Sequence, residues 1–227
     1  FKEFYKLLNI EYDYFIRTSD KKIHWPGVQK IWKELIKSGD LFKKKYKALY
    51  CVGCETFKTG SELEAGYCPF HPTKKLEIIE EENYFFKLSK YKNRLIKLIN
   101  SDKYHIQPKS AKNEILSFLK GDVNDISFSR VKTKLPWGIP VPGDKDQIIY
   151  VWADALSNYL TGIGYGTNIR KFKKYWPANI HLIGKDISRF HAVYWPAILI
   201  SAKIPTPKKL LVHGFIKDGK GRKMSKS

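Results

Sequence analysis

Two periods alternate through the apolar positions of the last third of the chain. Ile148-Ile149-Tyr150-Val151 is a short run of strand formers. After it Trp152, Ala155, Leu156, Tyr159 and Leu160 recur at helical spacing. Ile180-His181-Leu182-Ile183 is a second buried-strand pattern, ended by Gly184. Asp186 is placed to cap a helix in which Phe190, Tyr194 and Ile198 share one line and His191, Trp195 and Leu199 the next. Lys209 to His213 is a third strand pattern, and a basic, glycine-containing segment runs from Gly214 to Ser227. Strands alternating with helices predict a parallel sheet with right-handed crossovers, and such sheets bind ligands at the carboxyl ends of their strands.

The earlier segments extend this α/β reading. Phe1, Phe4, Tyr5 and Leu8 fall at helical spacing, Tyr14 to Thr18 reads as a strand, and His24 to Ser38 as a helix stopped by Gly39. From Leu41 to about Lys75 the helical period gives way to tyrosines and three cysteines. Asn83 to Asn100 and Asn113 to Leu119 read as helices, Asp125 to Arg130 as a strand, and Leu135 to Gly143 as a rigid loop. The fold class expected is α/β, part of a parallel nucleotide-binding sheet. Residues 1–40 and 146–227 form its two halves, and a block over 41–145, with a knuckle at about 49–75, is inserted between them.

Composition narrows the partners. Apolar residues make up 43% of the chain and aromatics 15%, a globular balance, and Lys+Arg exceed Asp+Glu by 42 to 22. An excess of 20 positive charges favours a polyanion, nucleic acid first. Three cysteines, an odd number set around a CxxC, fit a metal in a reducing compartment better than disulfides. No apolar run approaches the ~18 residues of a membrane helix, and no secretory signal opens the chain. The chain starts without Met inside an amphipathic pattern and stops on a loop, which predicts a piece of a longer protein.

The strongest local motif is Cys51-x2-Cys54-x13-Cys68-x2-His71, with Gly53 and Gly66 easing its two turns. Two such pairs supply a tetrahedral Cys3His site, and four protein ligands make the expected zinc structural. The basic tail reads either as a solvated charge run or as a phosphate-binding loop. In the second reading Gly219 and Gly221 give freedom while Lys223, Lys226 and two serines meet phosphate oxygens. Gly162, Gly164 and Gly166 follow a helix pattern with no acidic residue downstream, which argues against a dinucleotide site. Asp186 and His191 suit an N-cap and a core histidine when taken singly. Beside Gly184 and Lys185 at a strand's carboxyl end they become candidates for a site.

Lys223-Met224-Ser225-Lys226-Ser227 is the KMSKS signature of class I aminoacyl-tRNA synthetases. The segments from His181 to Pro196 and from Val151 to Tyr159 resemble the methionyl-tRNA synthetases in particular. So do the knuckle spacing, Asp125 to Arg130 and Trp137 to Pro142, five segments in the family's order. The resemblance implies ATP-dependent activation of methionine to methionyl-adenylate and transfer to tRNA(Met), a cytoplasmic ligase activity. It implies a methionine pocket of Trp152, Ala155, Leu156, Tyr159, Phe190 and His191, with Asp186 near the substrate ammonium. Gly184, Lys185 and His191 would border the adenosine, and Lys223, Ser225 and Lys226 the phosphates of ATP, which enters with Mg2+. Lys223 and Lys226 would be the catalytic pair.

The sequence contains no His-x-Gly-His, the family's other signature, and ends before the helical anticodon-binding domain expected after KMSKS. The isolated chain is therefore expected to be inactive. Two alternatives are weighed. Other class I synthetases, the isoleucyl, valyl and leucyl relatives, carry an editing insertion too large for this middle block. A zinc-containing RNA-binding module without catalysis would lack HIGH and the helical domain in the same reading frame.

Overall fold

In the computed structural model, residues 2–54, 56–58, 60–133 and 136–224 are described. The signature residues Ser225, Lys226 and Ser227 lie outside the described residues. Helices α1 (Lys2–Leu7) and α2 (His24–Lys37) open the chain. They are followed by strands β1 (Leu41–Cys51), β2 (Thr56–Lys58) and β3 (Glu77–Phe86). Helix α3 (Lys92–Asn100), strand β4 (His105–Gln107) and helix α4 (Lys109–Lys120) come next. Short strands β5 (Ile126–Ser127), β6 (Ser129–Val131) and β7 (Pro140–Val141) lead to β8 (Asp144–Ile149). The last third is α5 (Val151–Thr161), α6 (Ile169–Tyr175), β9 (Ile180–Gly184), α7 (Trp195–Ser201) and β10 (Lys209–His213).

The fold is mixed α/β, with one parallel sheet of order β4-β10-β9 and two antiparallel sheets, β2-β1-β3-β5 and β6-β8-β7. Leu210 and Val212 of β10 and Ile183 of β9 are buried in the same core cluster as Trp195, Ala197 and Leu199 of α7, which are fully enclosed. Helix α2 buries Val28, Ile31, Trp32 and Leu35, the stripe its 3.6-residue period sets out. Its approach to α5 depends on Gly27, where a Cβ would lie 2.5 Å from both Thr161 Cγ2 and the Tyr165 carbonyl. Gly166 packs on the same point, since a Cβ there would meet Gly27 Cα at 2.6 Å. Gly166, the last glycine of the run after α5, therefore serves helix packing.

Several elements differ from the sequence reading. Ile148 and Ile149 belong to β8, which pairs antiparallel with β6 and β7 and so stays out of the parallel sheet. The third parallel strand is β4, too short to show a pattern. Tyr14 to Thr18 is not a strand. Phe15 instead packs edge-on against Tyr5 and tilted against Tyr12, with centroids at 6.4 and 5.4 Å. Residues 83–86 end β3 instead of starting a helix, because the long hairpin sets Lys45 and Lys47 of β1 opposite Glu82 and Glu80. Opposite charges on facing positions favour that register over a helix. Helix α4 starts four residues earlier than the sequence reading, and 125–130 breaks into two short strands at Phe128.

Candidate active site and metal centre

The knuckle gathers its four residues as the spacing predicts. Ligand atoms of Cys51, Cys54, Cys68 and His71 all lie within 4.8 Å of one another. Cys54 Sγ is 3.3 Å from His71 Nδ1 and 3.5 Å from Cys68 Sγ, and Cys51 Sγ is 3.7 Å from His71 Nδ1. Atoms bound tetrahedrally at 2.0–2.3 Å from one zinc are separated by about 3.5–3.8 Å, so the donor set fits that ion. At Gly53 a Cβ would lie 2.5 Å from the His71 ring, so the first turn needs glycine for the histidine to close the site. Burial, and then the Cys68 sulfur, push the Cys54 thiol up to about 12, a cost that a dication on the thiolates offsets.

The carboxyl ends of β9 and β10 carry the second site. Trp152, at the start of α5, stacks on Phe190 with centroids 3.7 Å apart and planes 13° from parallel. Two turns further along α5, Tyr159 stacks on His181 at 4.2 Å and its hydroxyl lies 2.8 Å from His191 Nε2. His191 Nδ1 is 3.0 Å from the Ile187 carbonyl. A carbonyl can only accept, so Nδ1 carries the proton, Nε2 is the acceptor, and the Tyr159 hydroxyl donates to it. Burial holds His191 below the usual imidazole range, and the Ile187 carbonyl only partly opposes this. The ring is therefore neutral at pH 7 and fixes the Tyr159 oxygen in place.

Four of the expected pocket residues, Trp152, Phe190, Tyr159 and His191, thus form two adjoining aromatic pairs. Ala155 is half-buried on the same helix. Leu156, on the same stripe of α5, is buried and belongs to the main core cluster. Asp186 makes no capping hydrogen bond among the described residues; it sits in a 3-10 turn, half exposed, with Lys223 Nζ at 3.5 Å. Gly184 lies against it, and Lys185 pairs with Glu114 of α4 at 3.4 Å. The segment after β10 is a tight turn in which Asp218 accepts from the Lys220 and Arg222 amides and from Arg222 Nε. Met224 N donates to the Ile216 carbonyl, closing the turn, and Lys223 Nζ sits 4.3 Å over the Phe215 ring. The signature lysine is thereby brought to Asp186.

Sequence reasoning missed the support beneath these groups. His24 of α2 is fully buried, with Nε2 2.5 Å from Asp154 Oδ1 and Nδ1 2.7 Å from Thr161 Oγ1, both on α5. It therefore clamps the helix that carries Trp152 and Tyr159. Tyr104 donates to the His191 carbonyl at 2.8 Å from a fully buried position. His24 opens an amphipathic helix and Tyr104 precedes a three-residue strand, so no local period marks either one.

Comparison with known proteins agrees with this geometry. The family model described as tRNA synthetases class I (M) matches residues 1–75 and 71–227. A methionine–tRNA ligase of Clostridium tetani is 49% identical over 228 residues, covering all of this chain and 35% of its own length. A Thermotoga maritima methionine–tRNA ligase is 44% identical, with 36% of its length covered. The crystal structure of Mycobacterium tuberculosis methionyl-tRNA synthetase bound by methionyl-adenylate matches with a TM-score of 0.90 at 40% identity, covering 100% of this chain and 44% of that one. The chain thus spans about a third of the length of these curated relatives, and it belongs to the class I methionyl-tRNA synthetase family.

Proposed function

We propose that this chain supplies part of the methionine-activating site of a methionine–tRNA ligase. The observation that carries the reading is the pair of aromatic walls, Trp152–Phe190 and Tyr159–His191, beside Asp186 and Lys223 at the carboxyl ends of β9 and β10. An apolar, aromatic slot suits a thioether, which gains both burial and sulfur–aromatic contact. Asp186 offers the negative charge for the substrate ammonium, and Gly184 leaves room for the adenosine.

In the reaction, a methionine carboxylate oxygen attacks the α-phosphorus of ATP. The bond to the β-phosphate oxygen breaks, and pyrophosphate leaves with the electron pair. Lys223, and with it Lys226 and Ser225 of the signature, stabilise the negative charge that grows on the leaving phosphates. The protein's part is to position and to provide charge, with no covalent intermediate on a side chain. A tRNA(Met) 3′ hydroxyl then attacks the carbonyl carbon and AMP departs. Cys51, Cys54, Cys68 and His71 hold a zinc ion, whose contribution is structural: with four protein ligands it keeps no position open for substrate. ATP enters with Mg2+, and the compartment is the cytoplasm. No described helix is long and apolar enough to cross a membrane.

The test is binding of a non-hydrolysable methionyl-adenylate analogue to the complete protein, followed by hydrogen exchange. Protection of 150–160, 184–191 and 213–224 supports the reading, and protection confined to other segments refutes it.

A further inference from the structure

At the opposite end of the parallel sheet lies a cavity of about 1000 Å3 with a different chemistry. Its rim includes Ser101 and Lys103, which precede β4, and Pro205 and Thr206, which precede β10. It therefore opens at the amino ends of the strands whose partners end at the candidate active site. Lys37, Arg94, Lys97, Lys103 and Lys203 line it, and none of them forms an ion pair with a carboxylate or a side-chain hydrogen bond among the described residues. Asp40 forms the floor, fully buried, and is already satisfied by Lys90, Tyr91 and Ser201. Glu34 is the other acid.

Six cations face two acids, a local excess of four positive charges. Part of this has a structural explanation. Helices α2, α3 and α7 end at the cavity, and each contributes a partial charge of about −0.5 from its last carbonyls. Three such ends offset roughly 1.5 charges, which leaves about +2.5 with no partner. The cations also sit on four separate segments, around 37, 90–97, 103 and 203, and the fold draws them around one concavity. A solvated charge run on a single helix would not do this.

We propose that this cavity binds closely spaced phosphates of an anionic ligand, at a site separate from the one at the carboxyl ends. The shared chemistry is a run of phosphate groups, carried either by a small polyphosphate or by an RNA backbone. The proposal does not rest on the methionine-activation reading.

Calorimetric titration of the complete protein with inorganic tripolyphosphate tests it. Three proteins are compared: unmodified, a cavity variant with Arg94→Gln, Lys97→Gln and Lys203→Gln, and a control with Lys132→Gln, Lys145→Gln and Lys173→Gln. The two variants lose the same charge from exposed positions, and urea unfolding reports that each is folded. The cavity variant is expected to bind roughly tenfold or more weakly, and the control within about twofold of the unmodified protein. Equal weakening in both variants, or no saturable binding to the unmodified protein, overturns the proposal. A second arm uses single-stranded oligouridylate of about 12 nucleotides, within the usual site size. Competition with tripolyphosphate, and a loss confined to the cavity variant, assign the phosphates to RNA. Binding of the oligonucleotide alike to all three proteins, with tripolyphosphate still lost from the cavity variant, assigns them to a small ligand.

Discussion

Replacing Trp152 by alanine in the complete protein removes one face of the slot and leaves the Phe190 ring, now stacked at 3.7 Å, without its partner. A fully buried tryptophan would cost about 3–5 kcal/mol on truncation. Trp152 is only half-buried, so about half of that applies to folding, with about 1 kcal/mol more for the lost stack. The ligand loses less. A methionine side chain gains about 1.5–3 kcal/mol from burial and up to about 1.5 from sulfur–aromatic contact, shared over several walls. Removing this wall should cost about 2 kcal/mol, roughly thirtyfold in methionine affinity. ATP affinity should move by less than about threefold, because Trp152 is on α5 and not on the phosphate loop. Trp152→Phe should recover most of the loss. Methionine and ATP dissociation constants, measured separately on the three proteins, decide the matter. Equal losses for both ligands, or no recovery with phenylalanine, would show that Trp152 is a core residue and not a pocket wall.

Further outcomes follow from other parts of the molecule. Native protein should carry one zinc per chain; chelation should expose amides over 51–71 to exchange while leaving the α2–α5 packing intact, and elemental analysis finding no metal would refute this. Lys223→Ala should slow adenylate formation by about 10²–10³, with methionine affinity nearly unchanged, because its stabilisation grows as pyrophosphate separates. Pre-steady-state kinetics separate the two effects, and an unchanged rate would reduce the loop to a solvated charge run. His181 is buried, and desolvation followed by the His191 charge lowers its pKa from 6.5 to about 4. A depressed folded-state value means its contribution is complete above pH 6.5 and is lost as pH falls towards 4, by up to about 3 kcal/mol. Urea unfolding should therefore depend more steeply on pH below 6.5 in the native protein than in His181→Phe, which keeps only the depressed His191; identical profiles would contradict this.

The sequence revealed those elements whose period is long or whose chemistry is dense. Helix α2 and strands β9 and β10 follow from apolar spacing, and the Cys3His set from two pairs of ligands at turn spacing. Tyr14 to Thr18 failed because β-forming residues build a strand only where a neighbour supplies hydrogen bonds, and here the rings found each other first. Residues 83–86 failed because the hairpin register is set by facing lysines and glutamates, Lys45 with Glu82 and Lys47 with Glu80, too far apart in sequence for any local window to contain. Leu156 shares the helical stripe with Trp152 and Tyr159, yet only the facing helix decides which side of that stripe becomes core. His24 and the basic cavity depend on contacts between distant segments, so they became visible only in the fold.

The central claim is that the aromatic slot beside Asp186 and Lys223 activates methionine. Amino-acid-dependent exchange of labelled pyrophosphate into ATP, run on the complete protein with each of the standard amino acids, tests it most directly. The account predicts exchange with methionine and none above background with isoleucine, valine or leucine. Equal or greater exchange with one of those branched side chains, or none with any amino acid, would contradict it.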